Sequence, residues 1–272
     1  MIQFLPVMMK SAVSAGIAAL DVYNQDFSVI EKADQSPLTL ADTRSHAIIS
    51  QALEATDIPV LSEEGKDIAY EERKDWEHLW IVDPLDGTKE FVKRNGEFTI
   101  NIALVENHIP VMGVIYVPVL SLLYFGVFDR GAHRVKIEAP EAVKTDVDID
   151  RLIDKADLLE VEVDASRPYK IVGSRSHMTP EVEAFVEEKR RVYGDVAFVS
   201  AGSSLKFCQI AEGKADIYPR LGPTMEWDTA AGQVIAETAG ARIYRHDTGE
   251  PLRYNKEDLK NPWFVVTNGR DG

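Results

Sequence analysis

The 272-residue chain is short of cysteine and of basic residues, and each shortage excludes a class of protein. Cys208 is the single cysteine, so no disulfide can form within the chain, which favours a reducing compartment. The 30 Lys and Arg are outnumbered by 45 Asp and Glu, which leaves a formal charge of −15. Nucleic-acid binding and charge-driven attachment to anionic lipid both need a basic surface, so the composition argues against both.

The sequence also has few long apolar runs. The longest nearly unbroken one covers residues 114–128, and Pro118 and Gly126 interrupt it. It falls short of the roughly 20 residues that a membrane-spanning helix needs. No Lys or Arg precedes Lys10, so a secretory signal with a basic first part is not indicated. We therefore expect a cytoplasmic protein, with peripheral contact at the inner membrane left open.

The pattern of apolar residues predicts two structural units, as the length does at roughly 150 residues per domain. Residues 98–128 hold three β-branched or aromatic runs separated by short turns, which indicates an antiparallel sheet. From residue 169 onward, strand-like and helical segments alternate, which favours an α/β unit. We predict an N-terminal α+β lobe over residues 1–137 and a C-terminal α/β lobe over residues 138–272.

Three further segments have a recognisable local pattern. Apolar spacing predicts helices over residues 7–23 and 43–56. A serine at the start and a glycine at the end predict another helix from Ser203 to Gly213. Residues 138–167 carry ten acidic residues against four basic ones, which is typical of a solvated linker or insertion.

The segment WIVDPLDGTKEF, residues 80–91, carries the residues with the clearest chemistry. A buried strand leads to Asp83, and we expect Pro84, which has no N–H to donate, to end that strand. Asp86 follows three residues after Asp83. Two carboxylates on one rigid turn repel each other unless a cation lies between them. Oxygen ligands alone suit Mg²⁺ or Mn²⁺ rather than zinc.

The end of the same segment fits a ligand-binding turn. Gly87 allows a ligand to approach the backbone closely, and Thr88 adds a hydroxyl. The alternative without a binding role is that Asp83 and Asp86 lie in surface turns, because Asp-Pro and Asp-Gly are common turn dipeptides. Spacing alone leaves both interpretations open.

The longer pattern resembles the inositol monophosphatase superfamily, whose first signature is a strand followed by D-P-x-D-G-T. The second signature of that superfamily, W-D-x-A-x-G at a helix start, is similar to residues 227–232. Its acid pair after a strand is similar to Glu63-Glu64. The segments SPLTLAD, RNGEFTINIAL, GSRSH, GSSLKFC and YPRLGPT resemble the bacterial 3′(2′),5′-bisphosphate nucleotidases within the superfamily.

This resemblance implies a layered α-β-α-β-α sandwich of the sugar-phosphatase type. It also implies hydrolysis of adenosine 3′,5′-bisphosphate to AMP and phosphate with two or three Mg²⁺ ions, which Mn²⁺ could replace. The implied metal ligands lie in a cleft between the lobes: Glu63, Asp83, Asp86, Asp228 and the main-chain carbonyl of Leu85. Inhibition by Li⁺ at the second metal site is typical of the family.

The resemblance also implies roles around the attacking water. Glu63 and Thr88 are implied to hold that water, and Asp42 to orient Thr88. No covalent intermediate is expected. The residues implied to contact the substrate include these ligands and several others: Glu63, Leu85, Asp86, Gly87, Thr88, His177, Ser203, Ser204, Lys206, Arg220 and Asp228.

Two other functions remain open on the sequence alone. One is the same chemistry on another phosphate, such as inositol monophosphate or a sugar bisphosphate. The other is a non-catalytic sensor that keeps the fold and binds metal or nucleotide. For single residues the ordinary roles also remain, since Lys206 could be a surface charge and Asp228 a helix cap. No protein partner is evident, and the sequence does not indicate an oligomeric state.

Overall fold

The computed structural model of the chain describes residues 2–31, 37–143, 149–174 and 178–271. Their helices are α1 (Leu5–Tyr23), α2 (Leu40–Glu54), α3 (Tyr70–Arg73), α4 (Thr88–Val92), α5 (Pro140–Val143), α6 (Ile149–Asp154), α7 (Pro180–Tyr193), α8 (Leu205–Ala211) and α9 (Ala230–Thr238). Short 3₁₀ turns lie at Ile2–Phe4, Pro118–Leu120 and Glu226–Asp228. The helices predicted over residues 7–23 and 43–56 are thus confirmed as α1 and α2.

The strands form two large sheets and one hairpin. They are β1 (Val29–Glu31), β2 (Pro37–Thr39), β3 (Val60–Ser62), β4 (His78–Asp86), β5 (Thr99–Glu106), β6 (Ile109–Val117), β7 (Leu122–Val127), β8 (Gly131–Lys136), β9 (Asp157–Leu159), β10 (Tyr169–Gly173), β11 (Val196–Ser200), β12 (Ile217–Arg220), β13 (Arg242–Arg245) and β14 (Phe264–Thr267). Strands β1 and β2 pair with each other as the hairpin.

The first sheet has the order β3-β4-β5-β6-β7-β8-β9 and is antiparallel except for the parallel pair β3–β4. The second has the order β11-β10-β12-β14-β13, with parallel pairing from β11 to β12. The antiparallel sheet predicted over residues 98–128 is therefore confirmed, and so is the alternation of strands and helices after residue 169.

The two sheets and their helices stack in five layers. Helices α1 and α2 cover one face of the first sheet, where Met8 and Ile49 join the core around Trp80. Helices α8 and α9 lie between the sheets, in the core that contains Phe207 and Ile235. Helix α7 covers the outer face of the second sheet. The α-β-α-β-α sandwich expected from the resemblance is confirmed.

Helix α1 is long and strongly apolar. With the turn before it, Ile2–Tyr23 is the one helical segment among the described residues that is long and apolar enough to cross a membrane by length and composition. Its apolar side is packed instead against the first sheet: Met8 and Met9 expose none of their surface. A Cβ on Gly16 would lie 2.5 Å from ring carbons of Tyr116, so glycine lets the helix approach the sheet closely. The apolar character of α1 is thus accounted for by burial in the core.

The described residues of the acidic stretch after residue 137 form more regular structure than its composition predicts. It contains α5, α6 and β9, and β9 pairs with β8 as the last strand of the first sheet. Val143 and Leu159 are buried. Of the two expectations, the solvated linker was wrong for these residues, because β9 belongs to the first sheet and Val143 and Leu159 lie in the cores on its two faces. That the stretch is an insertion stays a prediction. The first sheet thus extends to Leu159, while the division into lobes at residue 137 stays a prediction.

Candidate active site

Strand β4 delivers two of the predicted metal ligands through an irregularity in its pairing. Asp83 pairs with Asn101 and Asp86 pairs with Thr99, so β4 has one extra residue relative to β5 between these positions. Such a bulge accommodates a proline, which has no N–H for the ladder, and bends the strand locally. The expectation that Pro84 ends the strand was therefore wrong, because the strand continues to Asp86 around the proline.

Three carboxylates from two distant parts of the chain meet at this bulge. Asp83, Asp86 and Asp228 each place one oxygen within 4.8 Å of the others. Asp228 comes from the 3₁₀ turn that precedes α9. Asp83 is buried, and the other two side chains are half-buried. Oxygen ligands on opposite sides of a Mg²⁺ ion lie about 4 Å apart, so the cluster has the size of a divalent-cation site.

The electrostatics of the cluster also fit a cation. Burial raises the pKa of Asp83 well above its ordinary value, and the charges of Glu63, Asp86 and Asp228 raise it further. Burial, followed by the charge of Asp86, raises the pKa of Asp228 to about 8. A bound cation would reverse this repulsion, because it becomes the largest local charge in the site.

Glu63 and Leu85 lie beside the three aspartates. Glu63 follows β3 and donates its N–H to the carbonyl of Val82 at 3.1 Å. Its carboxylate is outside the 4.8 Å set, yet its charge raises the pKa of Asp83 and of Asp228. Leu85 donates its N–H to Asp83 Oδ1 at 3.0 Å, which fixes the rotamer of that carboxylate. All five predicted ligand residues therefore occur in one region of the structure.

Asp42 and Thr88 lie beside the cluster and are hydrogen-bonded to each other. Asp42 belongs to the capping box at the start of α2, where its Oδ2 accepts from the N–H and the hydroxyl of Thr39 at 2.7 and 2.6 Å. Its Oδ1 accepts from the Thr88 hydroxyl at 3.1 Å. Burial raises the pKa of Asp42, and the bonds from Thr39 counteract this. Because the Thr88 hydroxyl has one hydrogen, it can present only lone pairs to a water molecule.

Gly87, between Asp86 and Thr88, needs to be a glycine. Its φ of 91° lies in the left-handed region that other residues resist. A Cβ there would also lie 2.9 Å from Ser203 Oγ. The turn between the cluster and α4 can therefore keep its tight path only with glycine.

The two serines before α8 face the cluster rather than the helix. The predicted Ser203 cap is wrong: Ser204 is the N-cap residue, and its side chain makes no capping hydrogen bond. Ser203 has a φ of 52° and donates its hydroxyl to the carbonyl of Asp86 at 2.5 Å. Ser204 donates to Asp86 Oδ2 at 2.7 Å. The hydroxyls of Ser203 and Ser204 therefore bind Asp86 instead of capping the start of α8.

Two residues of the next strand, which the sequence did not single out, hold Asp86 in place. Asn101 places its Nδ2 at 2.8 Å from Ser204 Oγ and at 3.3 Å from Asp86 Oδ2. Thr99 donates its hydroxyl to Asn101 Oδ1 at 3.0 Å. The signal for them was the alternation in TINI, where two buried polar residues interrupt an otherwise apolar strand.

A cavity of about 100 Å³ lies next to the cluster, and two of the predicted cationic residues line it. Lys206 is buried, and its Nζ lies 2.6 Å from the carbonyl of Ser203. Burial lowers the pKa of Lys206 to about 8. Arg220 donates from Nη2 to the carbonyl of Pro223 at 2.7 Å, and its buried Nε has no partner among the described residues. His177 lies outside the described residues.

The two-sheet sandwich and its buried carboxylate cluster define a class of metal-dependent phosphatase. A sequence profile of the inositol monophosphatase family matches residues 2–270, and the chain belongs to that family.

Within the family, the chain is similar to bacterial nucleotidases. It is 43% identical over 260 residues to the 3′(2′),5′-bisphosphate nucleotidase CysQ of Shigella flexneri, a match that covers 93% of this chain and 95% of that protein. The crystal structure of CysQ from Bacteroides thetaiotaomicron is 50% identical, covers 96% of this chain and 95% of its own, and superposes with a TM-score of 0.86. An inositol monophosphatase from Anabaena, at 23% identity and a TM-score of 0.72, covers 98% of this chain and 91% of its own and shares the fold.

Proposed function

We infer that this protein is a 3′(2′),5′-bisphosphate nucleotidase, which hydrolyses the 3′-phosphate of adenosine 3′,5′-bisphosphate to AMP and phosphate. The similarity to CysQ nucleotidases over 93% of the chain supports the substrate. The observation that carries the chemistry is the carboxylate cluster of Asp83, Asp86 and Asp228 beside a cavity that Lys206 and Arg220 also line. In a cytoplasmic setting, the reaction would recycle a by-product of sulfate assimilation.

We propose that the cluster binds two or three Mg²⁺ ions, which Mn²⁺ could replace. Asp83, Asp86 and Asp228 would hold them together with Glu63 and the carbonyl of Leu85. The donor set supports this assignment, since it contains oxygen atoms alone. When bound, the ions would lower the pKa of a coordinated water and neutralise charge on the phosphate.

The protein's own contribution would be to orient the attacking water. Thr88 donates its hydrogen to Asp42, so its oxygen is left to accept a hydrogen bond from that water. Glu63 would accept a second hydrogen bond from the water or take its proton. The backbone N–H groups of Gly87 and Thr88 would bind the scissile phosphate. No step in this scheme needs a covalent phosphoenzyme.

The second phosphate of the substrate needs cationic groups of the protein. Lys206 and Arg220 line the cavity beside the acids, and the unpartnered Nε of Arg220 supports an anion at this place. A bisphosphate would then span the cluster and the two cations. Ser203, Ser204 and His177 would complete the substrate contacts, as the resemblance implies.

Phosphate release from a substrate panel tests the proposal. The panel contains adenosine 3′,5′-bisphosphate, inositol 1-phosphate and fructose 1,6-bisphosphate, each with excess Mg²⁺. We expect adenosine 3′,5′-bisphosphate to have the highest kcat/KM. The Asp83→Asn variant should lose activity on this substrate. A higher kcat/KM for inositol 1-phosphate would indicate a sugar phosphatase, and nucleotide binding without phosphate release would indicate a sensor.

A further inference from the structure

Asp228 belongs to the C-terminal half of the chain, whereas Asp83 and Asp86 lie on a strand of the first sheet. The turn that carries Asp228 is bound to residues 254–261, which we name the C-terminal strap. Asn261 of the strap donates from its side-chain amide to the carbonyl of Met225 at 2.6 Å. The strap therefore contacts the turn directly at the residue where the turn begins.

A buried glutamate fixes the strap to the same turn. Glu226, two residues before Asp228, exposes none of its surface. Its carboxylate accepts from the N–H of Asn255 at 2.6 Å and from the N–H of Lys256 at 3.0 Å, and it forms an ion pair with the Lys256 ammonium. A buried carboxylate without such partners is costly, so the turn and this part of the strap hold each other in one arrangement.

A buried arginine binds the other side of the strap to the first half of the chain. Arg73, at the end of α3, is 2% exposed. It donates from Nη1 to Asn255 Oδ1 at 2.9 Å and to the carbonyl of Lys256 at 2.6 Å, and from Nη2 to the carbonyl of Glu257 at 3.0 Å. Asn255 returns a bond from Nδ2 to the carbonyl of Arg73 at 2.7 Å. The flat guanidinium suits this set of acceptors better than an ammonium would.

A second contact confirms that the strap is held by the first sheet. Tyr254 donates its N–H to the carbonyl of His108 at 3.1 Å, and the His108 ring lies 2.7 Å from the carbonyl of Tyr254. His108 is in the turn between β5 and β6. The strap is thus bound to α3 and to this turn on one side, and to the turn of Asp228 on the other.

We propose that Arg73 and Glu226 are positioning residues for the metal site. Through the strap they set the distance of Asp228 from Asp83 and Asp86, although neither belongs to the cluster. A buried charge is costly unless hydrogen bonds compensate it. Arg73 is compensated by acceptors of the strap, and Glu226 by N–H groups of the strap and by Lys256, so both charges fix the strap in one position. Groups that orient metal ligands typically change metal affinity about 10–100-fold when they are lost. This inference rests on the proposed metal-dependent function.

The experiment measures Mn²⁺ binding to the full chain by electron paramagnetic resonance, without substrate. We expect Arg73→Met and Glu226→Gln each to weaken Mn²⁺ affinity about 10-fold or more. The double variant should weaken it by less than the product of the two effects, because both act through one strap. In turnover assays, each variant should need more Mg²⁺ for half-maximal rate. In excess Mg²⁺, each should reach most of the wild-type kcat.

A matched control separates positioning from general destabilisation. Glu212 also has a buried carboxylate paired with a basic side chain, Arg134. Its other side-chain partners are Tyr124 and Lys214, which do not belong to the strap. Glu212→Gln should lower Tm and leave Mn²⁺ affinity within about twofold of the wild type. If Arg73→Met fails to fold, Asn255→Gly replaces it; if Glu226→Gln fails to fold, Lys256→Met replaces it, because it removes the ammonium that pairs with Glu226. Asn255 has a φ of 59°, so glycine keeps the backbone path while the bonds to Arg73 are lost.

Folded variants with wild-type Mn²⁺ affinity would overturn the inference. Weakened affinity in Asn255→Gly with intact secondary structure would support it. The proposed function fails separately: a wild-type protein that binds Mn²⁺ but releases no phosphate from the nucleotide refutes the nucleotidase and leaves the role of the strap standing.

Discussion

The hydroxyl of Thr88 donates to Asp42 Oδ1 at 3.1 Å, across 46 residues of sequence. Asp42 cannot turn away, since its other oxygen accepts two bonds from Thr39. The start of α2 and the turn before α4 are therefore locked together. Through this contact a helix cap determines which way a hydroxyl beside the acid cluster points.

Removing this contact should slow turnover without removing metal. We expect Thr88→Val and Asp42→Asn each to lower kcat about 100-fold or more, because a correctly placed proton acceptor typically contributes 10²–10⁴-fold. Thr88→Ser keeps the hydroxyl and should retain most of the rate. Steady-state kinetics in saturating Mg²⁺ measures this. Equal losses in Thr88→Ser and Thr88→Val would show that the hydroxyl is not responsible.

Neutralising Asp83 should have opposite effects on activity and on stability. We expect Asp83→Asn to lose metal binding and at least about 100-fold in kcat, since a metal site supplies several kcal/mol to such reactions. In EDTA the same variant should unfold at a higher temperature than the wild type. The substitution removes a buried carboxylate that the neighbouring acids repel. Thermal unfolding in EDTA measures this second effect. A lower Tm for Asp83→Asn would contradict the repulsion we describe.

The raised pKa values also predict how pH changes stability without metal. Unfolded, an aspartate has a pKa of about 3.9, whereas burial and neighbouring charge raise the pKa of Asp228 to about 8 in the folded protein. Between these values the folded state holds more protons, so the free energy of unfolding falls as pH rises.

Thermal unfolding in EDTA at several pH values checks this prediction. We expect Tm to fall between about pH 5 and about pH 8, and the gain in Tm on adding Mg²⁺ to be larger at the higher pH. Asp228→Asn should make the metal-free profile flatter. A wild-type Tm that rises with pH over this window would contradict the assignment.

The cations of the cavity should distinguish a bisphosphate from a monophosphate. We expect Arg220→Met to raise KM for adenosine 3′,5′-bisphosphate about 10-fold or more, because a lost bond to a charged group costs about 1.5–3 kcal/mol. KM for adenosine 3′-monophosphate, which lacks the second phosphate, should change much less. Similar shifts for both nucleotides would place Arg220 at the scissile phosphate instead.

Lithium sensitivity is expected from the family resemblance. Phosphate release should fall in millimolar-range LiCl, whereas the same concentration of NaCl should have little effect. Equal rates in the two salts would show that this chain lacks the sensitivity.

Local patterns predict several helices and strands and one part of the cluster, whereas the layered sandwich was expected from the family resemblance. The strand before Asp83 is apolar, and Asp86, Gly87 and Thr88 lie within five residues of it, so their proximity follows from the chain itself. Asp228 could be added only through the resemblance, since no local rule brings a residue 145 positions later to the same place.

Other features depend on long-range contacts that no pattern reveals. The sequence predicts that Ser203 caps a helix, yet its hydroxyl donates to the carbonyl of Asp86. The sequence predicts that Pro84 ends a strand, yet β4 continues past it through a bulge opposite β5. Arg73 lies in a segment rich in charged residues, and no local pattern predicts the tertiary contacts that bury it.

The most direct test of the central claim is phosphate release from adenosine 3′,5′-bisphosphate by the purified protein, first with excess Mg²⁺ and then with excess EDTA. If Asp83, Asp86 and Asp228 act by holding divalent ions, release should be rapid with Mg²⁺, stop in EDTA and return when Mg²⁺ is restored. Undiminished release in excess EDTA would contradict the account.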